Sequence, residues 1–203
     1  MLQKIKIYHK IKFMLSFSEL KKGTLFILDG QPYEVLEYNF MRMQQRKPVA
    51  QTKIKNLISG KVTSQTFHQS DTFKEAEVEK EEIMFIYENR GEYWFRDPQD
   101  PGQRFSLDAE IIGDSAKFLK KDLIVTAYKF NDKIINIKLP IKIDYKVKEA
   151  PPAVKGDTAQ GGSKTVVLDN GLQINTPLFI DQGDIIRVNT DSGEYTERVE
   201  KAK

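Results

Sequence analysis

Thr24-Leu-Phe-Ile-Leu28, Asp29-Gly30 and Gln31-Pro-Tyr-Glu-Val-Leu-Glu-Tyr38 decide the fold class of this chain. An apolar run, a two-residue Asp-Gly step and an alternating run spell a β-hairpin, because Asp-Gly supplies the left-handed backbone that a tight turn needs. In the second strand Tyr33, Val35 and Leu36 compete for the inner face. Downstream, Val49 to Leu57 alternates again, with Thr52, Ile54 and Asn56 opposite Lys53 and Lys55. Ser59-Gly60 then turns the chain into Val62-Thr-Ser-Gln-Thr-Phe67. Four or five short strands with tight turns in about 60 residues predict a small SH3-like barrel. Its long irregular excursion runs from Asn39 to Pro48.

Beyond it the sequence turns acidic, Lys74 to Glu82, which reads as a domain boundary with a short connecting strand. A second strand-rich block follows. It holds Ile83–Tyr87, the turn Asn89-Arg-Gly91, Glu92–Arg96, the punctuation of Asp97–Gly102, and a hairpin of Leu123–Phe130 with Lys133–Leu139. Asp114–Lys120 is its one helical piece, capped by Asp114 or Ser115. A third block has strands at Lys142–Val147, Lys164–Leu168, Leu172–Ile174 and Ile185–Val188, with turns at Gly171 and Asp191-Ser-Gly193. Each of the last two blocks closes with its own hairpins, so two OB-type barrels fit better than one sandwich. The expectation is an all-β chain of three small barrels in tandem: an extension over 1–16, an SH3-like domain over 17–80, and OB-fold domains over 81–142 and 143–203. Met1–Phe13 is left out of the fold. It reads as an added edge strand, a frayed tail, or sequence upstream of a start at Met14, and it lacks the apolar core of a secretory signal.

Composition narrows the function. The 203 residues carry 39% apolar side chains and 21 aromatics, enough for ordered cores. No apolar run approaches the roughly 20 residues that span a bilayer, so no membrane role is expected and the reading is cytoplasmic. With no cysteine, disulfides, zinc ribbons, iron–sulfur ligation and a catalytic thiol are excluded. With only His9 and His68, a three-histidine metal site is impossible. No metal or cofactor is expected.

Charge is uneven. Tyr38 to Ser70 holds six bases (Arg42, Arg46, Lys47, Lys53, Lys55, Lys61) and no acid, whereas the whole chain nets +3. Such a block is either a solvated basic face or a field suited to a polyanion. Its densest part, Phe40-Met-Arg-Met-Gln-Gln-Arg-Lys-Pro48, mixes cations for phosphates, amides that donate and accept, and flexible methionines. That mix suits a crowded RNA surface better than a duplex groove, and its bland alternative is an ordinary hairpin tip.

Signs of catalysis are lacking. Gly156-Asp-Thr-Ala-Gln-Gly161 opens like a phosphate-cradling loop, but Gly162 stands where a lysine is needed, Ser163-Lys164 is reversed, and no helix follows. Glu75, Glu77, Glu79, Glu81 and Glu82 read as a solvated strand face. His68 has no nucleophile in sequence reach. The chain is not expected to be an enzyme.

Gly30-x-Pro32-Tyr-Glu-Val-Leu-Glu-Tyr38, Thr52-Lys-x-Lys-Asn-Leu57 and Thr66-Phe67 resemble the first domain of bacterial translation elongation factor P. Gly113-Asp-Ser-Ala-Lys-Phe-Leu119 is similar to a loop of its second domain. Pro152-x-x-Lys-Gly-Asp-Thr-Ala159, Lys164 with Gly171, Pro177-Leu-Phe-Ile-x-x-Gly183 and Gly193-Glu-Tyr195 resemble its third. The resemblance runs from about Phe17 to the C-terminus. One departure is Thr176, where the family normally has Val.

The resemblance implies a monomeric, L-shaped mimic of tRNA, with a KOW-like first domain, that binds the ribosome beside peptidyl-tRNA and relieves stalling at consecutive prolines. Arg42, Met43, Gln44, Gln45, Arg46 and Lys47 would meet the tRNA acceptor end at the peptidyl transferase centre. Gly113, Asp114 and Lys117 would face the D-arm, and Gly156, Asp157 and Thr158 the mRNA codon in the exit site. The family's tip pattern is Pro-Gly-Lys-Gly with a modified Lys, or in some members Arg. Ungapped alignment from Thr52–Leu57 puts Gln45 at that position. A glutamine amide cannot be acylated as an amine, so this tip is expected to act unmodified, with Arg46 on tRNA phosphates and Gln45 near the CCA end. The alternative reading is a general OB-fold RNA-binding or ribosome-assembly protein.

Overall fold

Leu25–Leu28 (β2) and Gln31–Met41 (β3) pair antiparallel from Leu28↔Gln31 upward. The Asp29-Gly30 turn between them has φ of 50° and 77°, the double left-handed step that favours Gly and Asp. In this computed structural model, which describes residues 14–42, 47–152 and 162–202, the hairpin lies inside a six-stranded sheet of order β1-β6-β2-β3-β4-β5. The other members are β1 (Met14–Ser16), β4 (Val49–Asn56), β5 (Val62–His68) and β6 (Thr72–Glu75). The sheet therefore begins at Met14, within the stretch expected to precede the fold, and Leu15 packs on the core. The core joins Phe17, Leu20, Phe26, Val35, Ala50, Ile54, Phe67 and Phe73. The rings of Phe26, Phe67 and Phe73 meet edge-on at 4.7–5.9 Å between centroids, the arrangement their quadrupoles prefer.

The competition among Tyr33, Val35 and Leu36 is resolved by a bulge. Register slips between Val35 and Glu37, which leaves Leu36 as the extra residue and switches the inward parity. Tyr33 and Val35 face the core before it, and Tyr38 packs on the core after it. On β4, Thr52, Ile54 and Asn56 are buried as the alternation requires, and Asn56 Oδ1 accepts from the N–H groups of Ile58 and Ser59 to shape the next turn.

The second sheet has order β11-β10-β7-β8-β9. Its strands are β7 (Glu79–Asn89), β8 (Glu92–Arg96), β9 (Arg104–Asp108), β10 (Ile124–Phe130) and β11 (Lys133–Lys138). The connecting strand expected over Lys74–Glu82 is thus divided, its first residues ending β6 and its last starting β7. Helical structure also differs from expectation. A single helical turn, α1 (Ala109–Ile112), leads into a 3₁₀ segment over Gly113–Phe118 whose N-cap is Ile112, with no side-chain cap. Asp114 and Ser115 lie inside that segment and therefore do not cap it.

The third sheet runs β14-β13-β12-β15-β16, from β12 (Lys142–Glu149), β13 (Ser163–Leu168), β14 (Gln173–Pro177), β15 (Ile185–Asn189) and β16 (Glu194–Glu200). Counted along the chain, both the second and third sheets have strand order 3-2-1-4-5, so the third repeats the topology of the second. Its core is lined by Ile143, Tyr145, Val147, Val166, Leu168, Ile174, Ile186 and Val188, the inward positions of alternating strands. The chain divides into two compact units. One holds the described residues up to Glu79 with Tyr128–Asn136, and the other holds Lys80–Ala127 with the described residues from Ile137 onward.

Candidate nucleic-acid interface

β3 is the longest strand of the first sheet, and its pairing with β4 runs out to Met41↔Val49. Arg42 and Lys47 stand exposed at the open end of this hairpin, brought to one place by the antiparallel register. Met43, Gln44, Gln45 and Arg46 lie outside the described residues. The arm rests on aromatic packing at its inner side. The Phe40 ring lies 6.0 Å from that of Phe17, and the Tyr38 hydroxyl donates to the Ser18 carbonyl at 3.4 Å. Its outer side carries Asn39, Gln51 and Thr66 in one cross-strand row, all exposed and uncharged.

The basic block is smaller in three dimensions than in sequence. Lys53 pairs across the strands with Glu37, Nζ to Oε1 at 3.3 Å, and Lys55 stands opposite Glu34. Both acids lie just before Tyr38, so a count from there misses them. Of the other described bases, Lys61 stands exposed in the turn after β4, and Arg42 and Lys47 together stand at the arm's end.

Gly113, Asp114 and Lys117 fall in a single 3₁₀ segment, all exposed. Gly113 has φ 52°, ψ −138°, a conformation an L-residue rarely adopts, and it ends α1. The Lys117 ammonium sits 5.0 Å above the Phe118 ring. The carbonyls of the segment are bound by side chains from the third sheet's part of the same unit. Asn170 Nδ2 donates to Lys117 O at 3.0 Å and Leu119 O at 3.2 Å, and the Tyr145 hydroxyl donates to Phe118 O at 2.5 Å. Burial, with the Asp169 carboxylate adding to it, pushes the Tyr145 phenol well above its ordinary pKa. Lys120 donates to Asp144 O and lies 5.3 Å over the Tyr145 ring.

Gly156, Asp157 and Thr158 lie outside the described residues, but the two chain segments flanking them are described. Lys164, its side chain 7% exposed, donates to Pro151 O at 3.1 Å and lies 3.5 Å from the Asp181 carboxylate. A strand, β13, follows rather than a helix, so this lysine braces the sheet instead of facing a phosphate. Lys164 enters the sequence reading as a misplaced phosphate-loop lysine and in a family motif, while Tyr145 and Asn170 are not singled out as functional residues from sequence. Asn170 stands next to the turn expected at Gly171, but nothing local marks a carbonyl partner about 50 residues away.

Among the described residues no group of three or more His, Cys, Asp or Glu side chains could hold a metal ion. No helix among them is long and apolar enough to cross a membrane.

Family models match the chain in three consecutive stretches. These are the elongation factor P KOW-like domain at 16–73, the elongation factor P OB domain at 78–137, and elongation factor P, C-terminal, at 143–198. Among curated relatives, elongation factor P of Thermodesulfovibrio yellowstonii is 35% identical over 188 residues, covering 93% of this chain and 100% of that protein. Elongation factor P of Natranaerobius thermophilus is 34% identical, covering 92% of this chain and 98% of that protein. That of Moorella thermoacetica is 35% identical, covering 91% and 100%. Three family domains in order and full-length relatives agree with the hairpin, the twice-used OB order and the quoted motifs: the chain belongs to the elongation factor P family of translation factors.

Proposed function

We propose that the chain binds the ribosome next to peptidyl-tRNA and stimulates peptide-bond formation where consecutive prolines stall synthesis. The observation that carries this reading is the end of the β3–β4 hairpin, which presents Arg42 and Lys47 to solvent in a member of this family. In this reading three domains act as a cytoplasmic monomer: the first, expected over 17–80, takes in β1 from Met14, and the others span 81–142 and 143–203. The arm reaches the acceptor end, Gly113, Asp114 and Lys117 face the D-arm, and Gly156, Asp157 and Thr158 approach the exit-site codon.

The work is positional. Prolyl reactants are slow because their geometry is constrained, and holding the CCA end ready for attack removes part of the entropic barrier. The ribosome performs the chemistry, while this chain orients the tRNA and screens phosphate charge. With Gln45 at the position that carries a modified residue in relatives, the tip acts unmodified: Arg46 takes the phosphates and Gln45 hydrogen-bonds near the CCA end.

In vitro translation of a triple-proline reporter tests the reading. The wild-type chain is expected to relieve the stall and Arg46→Ala to lose most of that relief. A stall that the wild-type chain leaves unchanged would overturn the assignment. Intact-mass spectrometry of the native protein tests the unmodified tip, and an adduct on Arg46 or Lys47 would refute it.

A further inference from the structure

The outward face of β7, β8 and β9 carries an arrangement that the proposed tRNA contacts do not use. Directly paired residues share a face, and so do alternate residues along a strand. The pairs Tyr87↔Trp94, Trp94↔Ser106, Met84↔Arg96 and Arg96↔Arg104 therefore put Tyr87, Trp94, Arg96 and Arg104 side by side, opposite the face of buried Phe85, Phe95 and Leu107. Tyr87 and Trp94 are stacked, centroids 6.1 Å apart at 20°, and Tyr87 is 44% exposed. The Trp94 indole N–H is buried without a partner among the described residues, so this half-buried side chain adds ring surface rather than a donor to the face, beside the exposed Tyr87 ring.

Two arginines directly opposite each other on neighbouring strands repel, and no ion pair joins either to a carboxylate among the described residues. Among the described residues the Arg96 guanidinium donates to the carbonyls of Asp97 and Pro98, at 3.2 and 3.4 Å, and Arg104 is exposed. An anion between them would remove the repulsion. At the other end of the same face, Glu92 stands opposite Asp108, both exposed. The face thus runs from a guanidinium pair, over stacked rings, to a carboxylate pair.

We infer that this face is a second RNA site, which binds single-stranded RNA through phosphate at Arg96 and Arg104, base stacking on Tyr87 and Trp94, and amino groups of the base toward Glu92 and Asp108. Rings interleaved with guanidiniums suit a single strand, and the face on the second and third strands is where OB folds take such ligands. Carboxylates accept from the exocyclic amino groups of adenine and cytosine, and where those stand uracil presents a carbonyl oxygen that repels them, leaving it only the single N3–H. The inference is independent of the role proposed for the tip.

Trp94 is the only tryptophan in the chain, so its emission reads this site alone. Twelve-nucleotide oligo(A), oligo(C) and oligo(U) RNAs are titrated into the full chain. Saturable quenching is expected with oligo(A) and oligo(C), and severalfold weaker binding with oligo(U). The slope of log K against log salt is expected to be about −1.4, for two phosphate contacts. Arg104→Gln, an exposed change that leaves the fold intact, should flatten that slope by about 0.7 and weaken binding severalfold. Tyr87→Ala, read by anisotropy of labelled RNA, should weaken binding at least about fivefold. No response of Trp94 to any of the three RNAs would overturn the site, as would binding undiminished in both variants. So would emission that responds to ribosomes but to no RNA, which would mark a protein-binding face. The polyproline assay and this titration read different parts of the chain, so either reading can fail alone.

Discussion

Asn170 holds the carbonyl of Lys117 across 53 residues of chain, its Nδ2 donating at 3.0 Å. The same nitrogen donates to Leu119 O, while Oδ1 accepts from the Leu172 N–H. One amide thus fixes a turn in the third sheet and the back of the segment whose front presents Asp114 and Lys117.

Asn170→Ala removes these three bonds and leaves two carbonyls without their partner. A loss of about 1–3 kcal/mol is expected in urea unfolding of the second unit. Amide exchange should quicken in Gly113–Leu119 before it does in the strands.

Tyr145→Phe keeps the ring and deletes the bond to Phe118 O, for about 1–2 kcal/mol. The pH dependence separates this residue from the other tyrosines. Because the folded-state pKa is raised above the ordinary value of 10.0, its contribution is full below about pH 10 and falls as pH rises further. Alkaline unfolding midpoints of wild type and Tyr145→Phe should therefore converge as pH climbs above 10.

Asp184, 1% exposed, behaves in the opposite sense. Burial alone would raise its pKa, but the N–H groups of Asp181 and Ala202 and the Arg198 guanidinium together outweigh that and hold it below the ordinary 3.8. Its stabilisation is present above about pH 4 and is lost as pH falls through the depressed value. Asp184→Ala should cost about 3 kcal/mol at neutral pH, because it strands a guanidinium and two N–H groups. Its acid unfolding curve should be flatter than that of the wild type.

Glu37→Gln should change stability by less than about 0.5 kcal/mol, since both partners of the Lys53 pair are largely exposed. It frees one positive charge on the arm. Association with ribosomes carrying peptidyl-tRNA should tighten at low salt, with the difference from wild type vanishing at high salt.

Where alternation reports burial, the fold was legible. The Asp29-Gly30 hairpin, the inward run Thr52, Ile54, Asn56 and most central strands of the later sheets stand where the pattern puts them. Of the strands that escaped reading, Met14–Ser16, Arg104–Asp108 and Glu194–Glu200 are edges of their sheets, while the first half of Thr72–Glu75, with core Phe73, lies between two strands but is only four residues long. In Glu194–Glu200 polar, mixed composition, which lets an edge resist pairing with another chain, erases the period-two signal, whereas Arg104–Asp108 does alternate, Phe105 and Leu107 inward, but over only five residues. The site was legible as types of residue, since cations and amides at a hairpin end name their partner chemistry. Its supports were not, because Asn170 to Lys117 and Lys164 to Pro151 join positions that no local pattern couples.

Leu36 sets a rule for insertions and deletions in this arm. Because it is the one supernumerary residue between Val35 and Glu37, losing a codon there would restore plain pairing and roll the outer half of the arm over, exchanging the sides that Asn39 and Phe40 occupy. Length variants beyond Met41 would alter only how far the arm reaches. Those between Val35 and Tyr38 would aim it backwards, and selection for viable chains should treat the two stretches very differently.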